Sequence, residues 1–554
     1  MDQSYPKSSR IFKATEAVLL LVATVFLALH AVHLSADFPN HSPWMDWAKY
    51  TDEGWYGDGA IRHFQLGHWY LPGDFNPAVA LPIWPLLEGI LFRFTGVNLA
   101  AARALTVAIF AGILATSYLL VRRWQLLSAR KGLETSLAPA IGILLLAVNP
   151  FCYVFTRLAI LEPLLILLTL LTLLAASCAT PPERGTVLHA GQSWPVLAMG
   201  LLIPLMVLTK TTAIFLLPAI IWLLWARSGY KLSRFGRLVL PVALLGAATW
   251  LSYYLFVVRP HFLSDYRYLF SANAYTGITP STALTVISKT IADGIWMGKI
   301  LYPLALLAAV SVFFLRPRLL RNPLIPALVL WAAGYAAFLA YHNNLQPRYY
   351  LVIAVPLTLL VPIVFSSLWN VSPKTRNHIG SSLHRIAIAS VASVLALVAV
   401  TDARQTLRYV RTPDYTFTSA AAKIHRIISA DPSHNPLILS ISGSNLSLMT
   451  GLPSICDDFG TMDLSVRVKA YHPGWYVAWN EVDDDKMDAL TPLYHLQRIA
   501  AFPVLDDPER NLLILYRLDP AQPGTVPRRR RKPLHPHLLQ TSVEQRPSPS
   551  QLRQ

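Results

Sequence analysis

Two adjacent carboxylates, Asp52 and Glu53, stand a short way beyond the first long apolar run of a chain that otherwise avoids charge. They open the string Thr51-Asp-Glu-Gly-Trp-Tyr-Gly-Asp-Gly-Ala-Ile-Arg62, which runs on to Gly67-His-Trp-Tyr-Leu-Pro72. Carboxylates are poor membrane anchors, because an anionic lipid surface repels them. They suit a general base, a metal ligand or a substrate contact. Further ionisable groups recur at the ends of later apolar runs. Arg157 and Glu162 fall in Phe155-Thr-Arg-Leu-Ala-Ile-Leu-Glu-Pro163, and Lys210 falls in Leu208-Thr-Lys-Thr-Thr212. Arg259 ends another run, and Arg348 with Tyr349 opens the next in Gln346-Pro-Arg-Tyr-Tyr350. A charge in or beside lipid is costly, so each requires a partner or a ligand.

Each residue also has a plain structural reading. Arg157 and Glu162 could neutralise each other, Lys210 could snorkel to the headgroups, and Arg348 could bind an ordinary lipid phosphate. Arg62 lies one helical turn from Asp58 and could pair with it. His63 and His68 read as loop or interface residues, not metal ligands. Cys152, Cys178 and Cys456 are too few and too scattered for a disulfide framework or a zinc site. What lifts the set is that carboxylates and cations gather at one membrane face.

The elements that position them are membrane helices. Of 554 residues, 54% are hydrophobic and only 14% charged, with mean hydropathy +0.43; a soluble globular chain carries roughly 25% charge. The net charge of +17 does not point to nucleic acid, because the basic residues cluster in short loops between apolar runs, as the positive-inside rule requires. The N-terminus has Lys7, Arg10 and Lys13 before an apolar run with no small-residue cleavage site after it, which reads as a retained signal anchor.

A spanning helix needs about 20 apolar residues, and about eleven runs come near that length: 15–34, 98–121, 135–154, 158–178, 194–209, 211–226, 237–258, 296–315, 323–342, 350–369 and 386–402. The stretch 76–96 carries Pro77, Pro82, Pro85, Glu88 and Arg93, and is read as lying in the outer interface. That choice puts Arg122/Arg123/Arg130/Lys131, Arg227/Lys231/Arg234/Arg237, Arg316/Arg318/Arg321 and Lys374/Arg376/Arg385 all inside. Asp52 and Glu53 then fall outside. The expected fold is an α-helical polytopic membrane protein over 1–403, with interfacial helices in the first outer loop. A small exoplasmic α/β domain follows at 404–520, with strands at Pro436–Ile441, Trp475–Trp479 and Asn511–Tyr516 and a helix start at Asp483. The tail 521–554, with Arg528-Arg-Arg-Arg-Lys532, has a disordered composition.

This order of motifs resembles the C-type membrane glycosyltransferases that use polyprenyl-phosphate sugars, such as protein O-mannosyltransferases and lipid A aminoarabinose transferases. Asp52-Glu53-Gly-Trp-Tyr56 matches the first-loop motif, Gly67-His-Trp69 with Pro72 the turn after it, and Arg103 the early arginine of the next span. Glu162-Pro163 stands where the family usually has Asp-Pro, and Gln346-Pro-Arg-Tyr349 resembles its Arg-Tyr element. The usual Pro-Pro-Leu is Leu81-Pro-Ile-Trp-Pro85 here.

The resemblance implies an inverting hexosyl or pentosyl transfer from a polyprenyl-phosphate donor to a glycan, lipid or protein hydroxyl at the outer face of a bacterial inner membrane. Asp52 would be the base, and Glu53 would orient the acceptor or hold a divalent metal if one is used. Arg348, Lys210 and Arg259 would meet the phosphate. Tyr56, Arg62, Arg157, Glu162 and Tyr349 complete the expected substrate contacts, and the C-terminal domain would cap the site. The rival reading is a transporter or flippase, which usually shows repeated halves and midplane charges; no repeat is found in this sequence.

Overall fold

The structure, a computed structural model, describes residues 7–39, 41–128, 136–181, 190–272, 283–292, 298, 300–315, 317–342, 346–369, 378–505, 507 and 510–521. The helices run α1 (Lys7–His30), α2 (Asp52–Leu66), α3 (Ile83–Thr95), α4 (Leu99–Ser128), α5 (Ala138–Val148), α6 (Pro150–Phe155), α7 (Leu161–Cys178), α8 (Ala190–Thr209), α9 (Leu217–Arg227) and α10 (Leu232–Tyr253). After a π-turn come α11 (Arg259–His261), α12 (Leu263–Ala272), α13 (Ala283–Ala292), α14 (Leu301–Val310), α15 (Leu324–His342), α16 (Pro347–Trp369) and α17 (His378–Arg411).

Among the described residues, seven helices are long and apolar enough to cross a membrane: α1, α4, α7, α10, α15, α16 and α17. The protein is thus an integral, multi-pass membrane protein. The other apolar runs of the sequence fall on shorter helices at α5, in α8, at 211–227 and at 301–314. Packing follows the distribution of apolar residues around each axis. Helix α7 is apolar all round and is buried at the centre with α16, while most of α1, α10 and α17 is left on the periphery.

The helix α3 has 13 residues, about 20 Å of rise, too short to cross a core of about 30 Å alone. Trp84, Glu88 and Phe92 are buried on one face of α3, and Leu86, Ile90 and Phe94 are exposed on the other. An apolar stripe turned outward is what a helix lying along the lipid interface presents.

The C-terminal part adds α18 (Thr416–Ser429), β1 (Ile438–Leu439), α19 (Gly443–Thr450), β2 (Ser454–Ile455), α20 (Leu464–Tyr471), β3 (Trp475–Trp479), α21 (Asp484–Leu490), β4 (Tyr494–Pro503) and β5 (Leu512–Pro520). The sheet order is β2-β1-β3-β5-β4. Strand β1 pairs in parallel with β2 and β3, and β5 pairs antiparallel with β3 and β4. Parallel neighbours need crossovers, which α19 and α20 supply. One face of the sheet buries Ile438, Trp475, Val477 and Leu513 with Phe417 and Ile424 of α18. The other buries Leu439, Ile455 and Tyr476 with Val468 of α20 and Leu490 of α21. All five residues of β3 are buried, as a strand covered on both faces must be.

The strand read at Pro436–Ile441 is only two residues long, because the chain turns at Ser440 toward α19. Helix α17 runs through position 403 to Arg411. The three cysteines are free thiols. The basic tail at 528–532 lies outside the described residues.

Candidate active site

Helix α2 begins at Asp52, with Asp52 and Glu53 in its first turn and Gly67 closing it in the left-handed conformation (φ 78°). Negative side chains suit a helix N-terminus, where unpaired N–H groups concentrate positive potential. The two carboxylates nonetheless turn to different partners.

Asp52 meets α16. Nη2 of Arg348 lies 2.6 Å from Asp52 Oδ2, and Thr51 Oγ1 donates to Asp52 Oδ1 at 2.9 Å. The Tyr56 hydroxyl, one turn along, is 3.5 Å from Oδ2. Burial, and then Asp52 beside it, push the Tyr56 phenol well above its ordinary pKa, so it remains a donor. The other arm of Arg348 pairs with Asp46, and the Arg348 N–H donates to Asp46 Oδ2 at 2.9 Å. Asp46 also caps a short turn by accepting from Ala48 N at 2.8 Å.

Lys210 follows α8 and forms a buried ion pair with Glu162 at the start of α7. Its ammonium lies 4.0 Å from the centre of the Tyr349 ring, and the Arg348 guanidinium lies 4.7 Å from the same ring. Tyr349 accepts from Arg348 Nη2 at 3.2 Å. The structure therefore joins Asp52, Tyr56, Glu162, Lys210, Arg348 and Tyr349 in one cluster. Asp46 joins them from outside the sequence expectation, with Tyr335 and Thr212 (3.4 Å apart) below. Oε2 of Glu162 is buried without a hydrogen-bond partner among the described residues.

The remaining expected residues sit elsewhere. Arg103 Nε and Nη2 hold Glu53 Oε1 and Oε2 at 2.7 and 2.6 Å, and Ala159 N donates to Oε1 at 2.9 Å. Arg62 does pair with Asp58, at 2.8 Å, and also with Asp74 at 2.6 Å. Burial raises the Asp58 carboxyl to about 7 against the opposing pull of Arg62. Arg157 does not pair with Glu162, one of the readings that the sequence leaves open; Glu162 pairs with Lys210. The Arg157 guanidinium is drawn to the carbonyls of His30, Val32 and His33, at and just past the end of α1, and to the Tyr153 hydroxyl, at 2.7–3.0 Å. The end of a helix leaves carbonyls unpaired, and those are the partners Arg157 finds. Nor does Lys210 reach out to headgroups; it is buried on Glu162. Arg259 is exposed beside Val258, which lines an apolar cavity of 290 Å³ with Val207, Leu208, Thr211, Trp250 and Tyr254.

Leu208 and Thr211 of that wall lie two residues before and one residue after Lys210 in the chain, so the backbone that carries Lys210 also lines the cavity. Among the described residues, no three His, Cys, Asp or Glu side chains gather as a metal-ligand group. Asp46 was missed because its partner lies 302 positions away. The available signal was one more carboxylate in the same segment between α1 and α4.

No family model matches the sequence, and no curated protein is similar to it in sequence. Solved structures do match its fold. ArnT from Cupriavidus metallidurans bound to undecaprenyl phosphate is 15% identical, with a TM-score of 0.55 over 92% of this chain and 98% of that one. The oligosaccharyltransferase AglB from Archaeoglobus fulgidus, in complex with an inhibitory peptide and a dolichol-phosphate, is 12% identical, with a TM-score of 0.47 over 90% of this chain and 74% of that one. The chain shares the ArnT fold.

Proposed function

We propose that the chain transfers a sugar, hexose or pentose, from a polyprenyl-phosphate donor to a hydroxyl on a glycan, lipid or protein at the outer face of the membrane. The observation that carries this reading is the position of Arg348, between Asp46 and Asp52 and beside Lys210 and Tyr349. A carboxylate able to take a proton and cations able to meet a phosphate stand together, and the chain neighbours of Lys210 line an apolar cavity. The fold likeness to ArnT, whose solved structure holds undecaprenyl phosphate, supports the donor class.

In this reading the acceptor oxygen attacks the anomeric carbon and its proton passes to Asp52. The bond from that carbon to the donor phosphate breaks, and its electron pair leaves on the lipid phosphate. Arg348 and Lys210 stabilise the charge gained there, and Arg259 meets the headgroup at the rim of the cavity that takes the lipid tail. Tyr56, Tyr349 and Glu162 contact the sugar. Glu53, Arg62 and Arg157 act by holding α2 and its neighbours in place. One membrane crossing before α2 and about eleven before the C-terminal domain put both outside the cell, and residues 404–520 cap the site.

The test supplies purified protein in detergent with undecaprenyl-phosphate-linked hexoses and pentoses and measures free undecaprenyl phosphate. Turnover that is lost in Asp52→Asn is expected. No turnover of any such donor, with the protein folded, overturns the reading.

A further inference from the structure

A residue at an N-cap normally turns its side-chain oxygen onto the N–H two or three positions on. Thr51 holds that place before α2 and makes no such bond. Its hydroxyl is directed at Asp52 Oδ1 and the Trp47 carbonyl instead. The Trp55 N–H is the first of α2 to find an intrahelical partner, at Thr51 O. The Gly54 N–H is left for another acceptor, and Asn445 Oδ1, in the first turn of α19, receives it.

The approach is close. A Cβ on Gly54 would fall 2.1 Å from Asn445 N and 2.2 Å from the Ser444 carbonyl carbon, so only glycine admits the backbone of α19 here. The contact continues along α2: Trp55 Nε1 donates to Ile441 O at 3.0 Å, the Ser444 hydroxyl donates to Asp58, and Gln65 Nε2 reaches Ser447 O at 3.4 Å. Trp479 of β3 braces the same loop through Ser442 Oγ at 2.9 Å. This loop leaves the carboxyl end of β1, where an open α/β sheet ordinarily takes a ligand. Here that edge takes a helix. Asn445 is fully buried, and its Nδ2 has no partner among the described residues, so the acceptor oxygen is the part of the side chain in use.

We propose that Asn445 is a positioning residue: it caps α2 from the C-terminal domain, which frees Thr51 to hold the Asp52 carboxylate against Arg348. The proposal rests on Asp52 being the proton acceptor. Docking of the C-terminal domain and the aim of the base then become one structural event.

The test compares Asn445→Leu, which has similar size and no acceptor, with Asn445→Asp, which keeps the oxygen facing Gly54. Hydrogen–deuterium exchange on the full-length protein reads the Gly54 amide, with peptides from β1 to β3 reporting whether the domain stays folded. Asn445→Leu is expected to speed Gly54 exchange and lower kcat by about tenfold each, with KM for the donor within about twofold. Asn445→Asp is expected to restore both. Unchanged Gly54 exchange in Asn445→Leu overturns the cap, as does an Asn445→Asp protein as impaired as Asn445→Leu. Faster exchange with an unchanged kcat overturns the positioning role. If the wild-type chain turns over no lipid-linked sugar, the reading of Asp52 falls, and exchange alone decides the cap.

Discussion

Arg103 grips Glu53 side-on, Nε to Oε1 at 2.7 Å and Nη2 to Oε2 at 2.6 Å, with the whole pair buried. The same guanidinium also donates to the carbonyls of Leu34 and Ala36, so α2, α4 and the segment after α1 meet at one point. Removing one partner of a buried pair leaves the other uncompensated and costs about 3–5 kcal/mol. Glu53→Gln is therefore expected to lower the unfolding midpoint in detergent markedly and to reduce the yield of folded protein. A midpoint equal to that of wild type would show that the pair does not hold the fold.

Asp52→Asn should behave oppositely, although the residue is adjacent. Asparagine keeps an oxygen for Arg348 and presents its amide N–H to the Thr51 hydroxyl, which can accept, but it cannot take a proton. The protein is expected to stay folded and to lose at least ~100-fold in transfer from an undecaprenyl-phosphate sugar, the usual contribution of a general base. Measured side by side, the two variants separate a carboxylate that holds from one that reacts. Near-normal turnover in Asp52→Asn removes Asp52 from the chemistry.

How much of this was legible follows from sequence distance. Arg62 and Asp58 pair as their one-turn spacing predicts, and β3 lies where the apolar run Trp475–Trp479 places it. Glu162 has Arg157 five positions away and yet pairs with Lys210, 48 positions on. Proximity in the chain lost because the unpaired carbonyls at and just past the end of α1 claimed Arg157 first. The partners of Asp46 and Gly54 lie 302 and 391 positions away. Nothing in local pattern reports such pairs; they exist because α16 and α19 are both brought against the segment between α1 and α3 by tertiary packing.

Asp58 carries a pH dependence whose sign can be worked out. Burial lifts its carboxyl from 3.8 to about 7 in the folded chain. Between those values the folded protein holds a proton that the unfolded chain has released, so this contribution to stability is present at low pH and is lost as pH rises through about 4 to 7. One proton gives a slope of about 1.4 kcal/mol per pH unit. Asp58→Asn is expected to be flatter than wild type across that window when unfolding is followed at a series of pH values. Curves that run parallel would mean that Asp58 is already ionised in the fold.

Arg348 gives a test in two directions. Two carboxylates, Asp46 and Asp52, share its single positive charge, so an arriving lipid phosphate competes with both. Asp46→Asn removes one competitor and leaves one oxygen for the Ala48 N–H and Nη1 of Arg348, giving up the second oxygen that accepts from the Arg348 N–H. Undecaprenyl phosphate is then expected to bind several-fold more tightly, as lost like-charge repulsion in a buried site requires. Arg348→Ala deletes the cation and should weaken binding about 10- to 100-fold, the worth of hydrogen bonds to a charged group. Native mass spectrometry of the two variants with undecaprenyl phosphate gives both values. Opposite signs are required if the phosphate sits at Arg348; weakening in both variants would mean that Asp46 serves only to hold the arginine, and no change in Arg348→Ala would place the phosphate elsewhere.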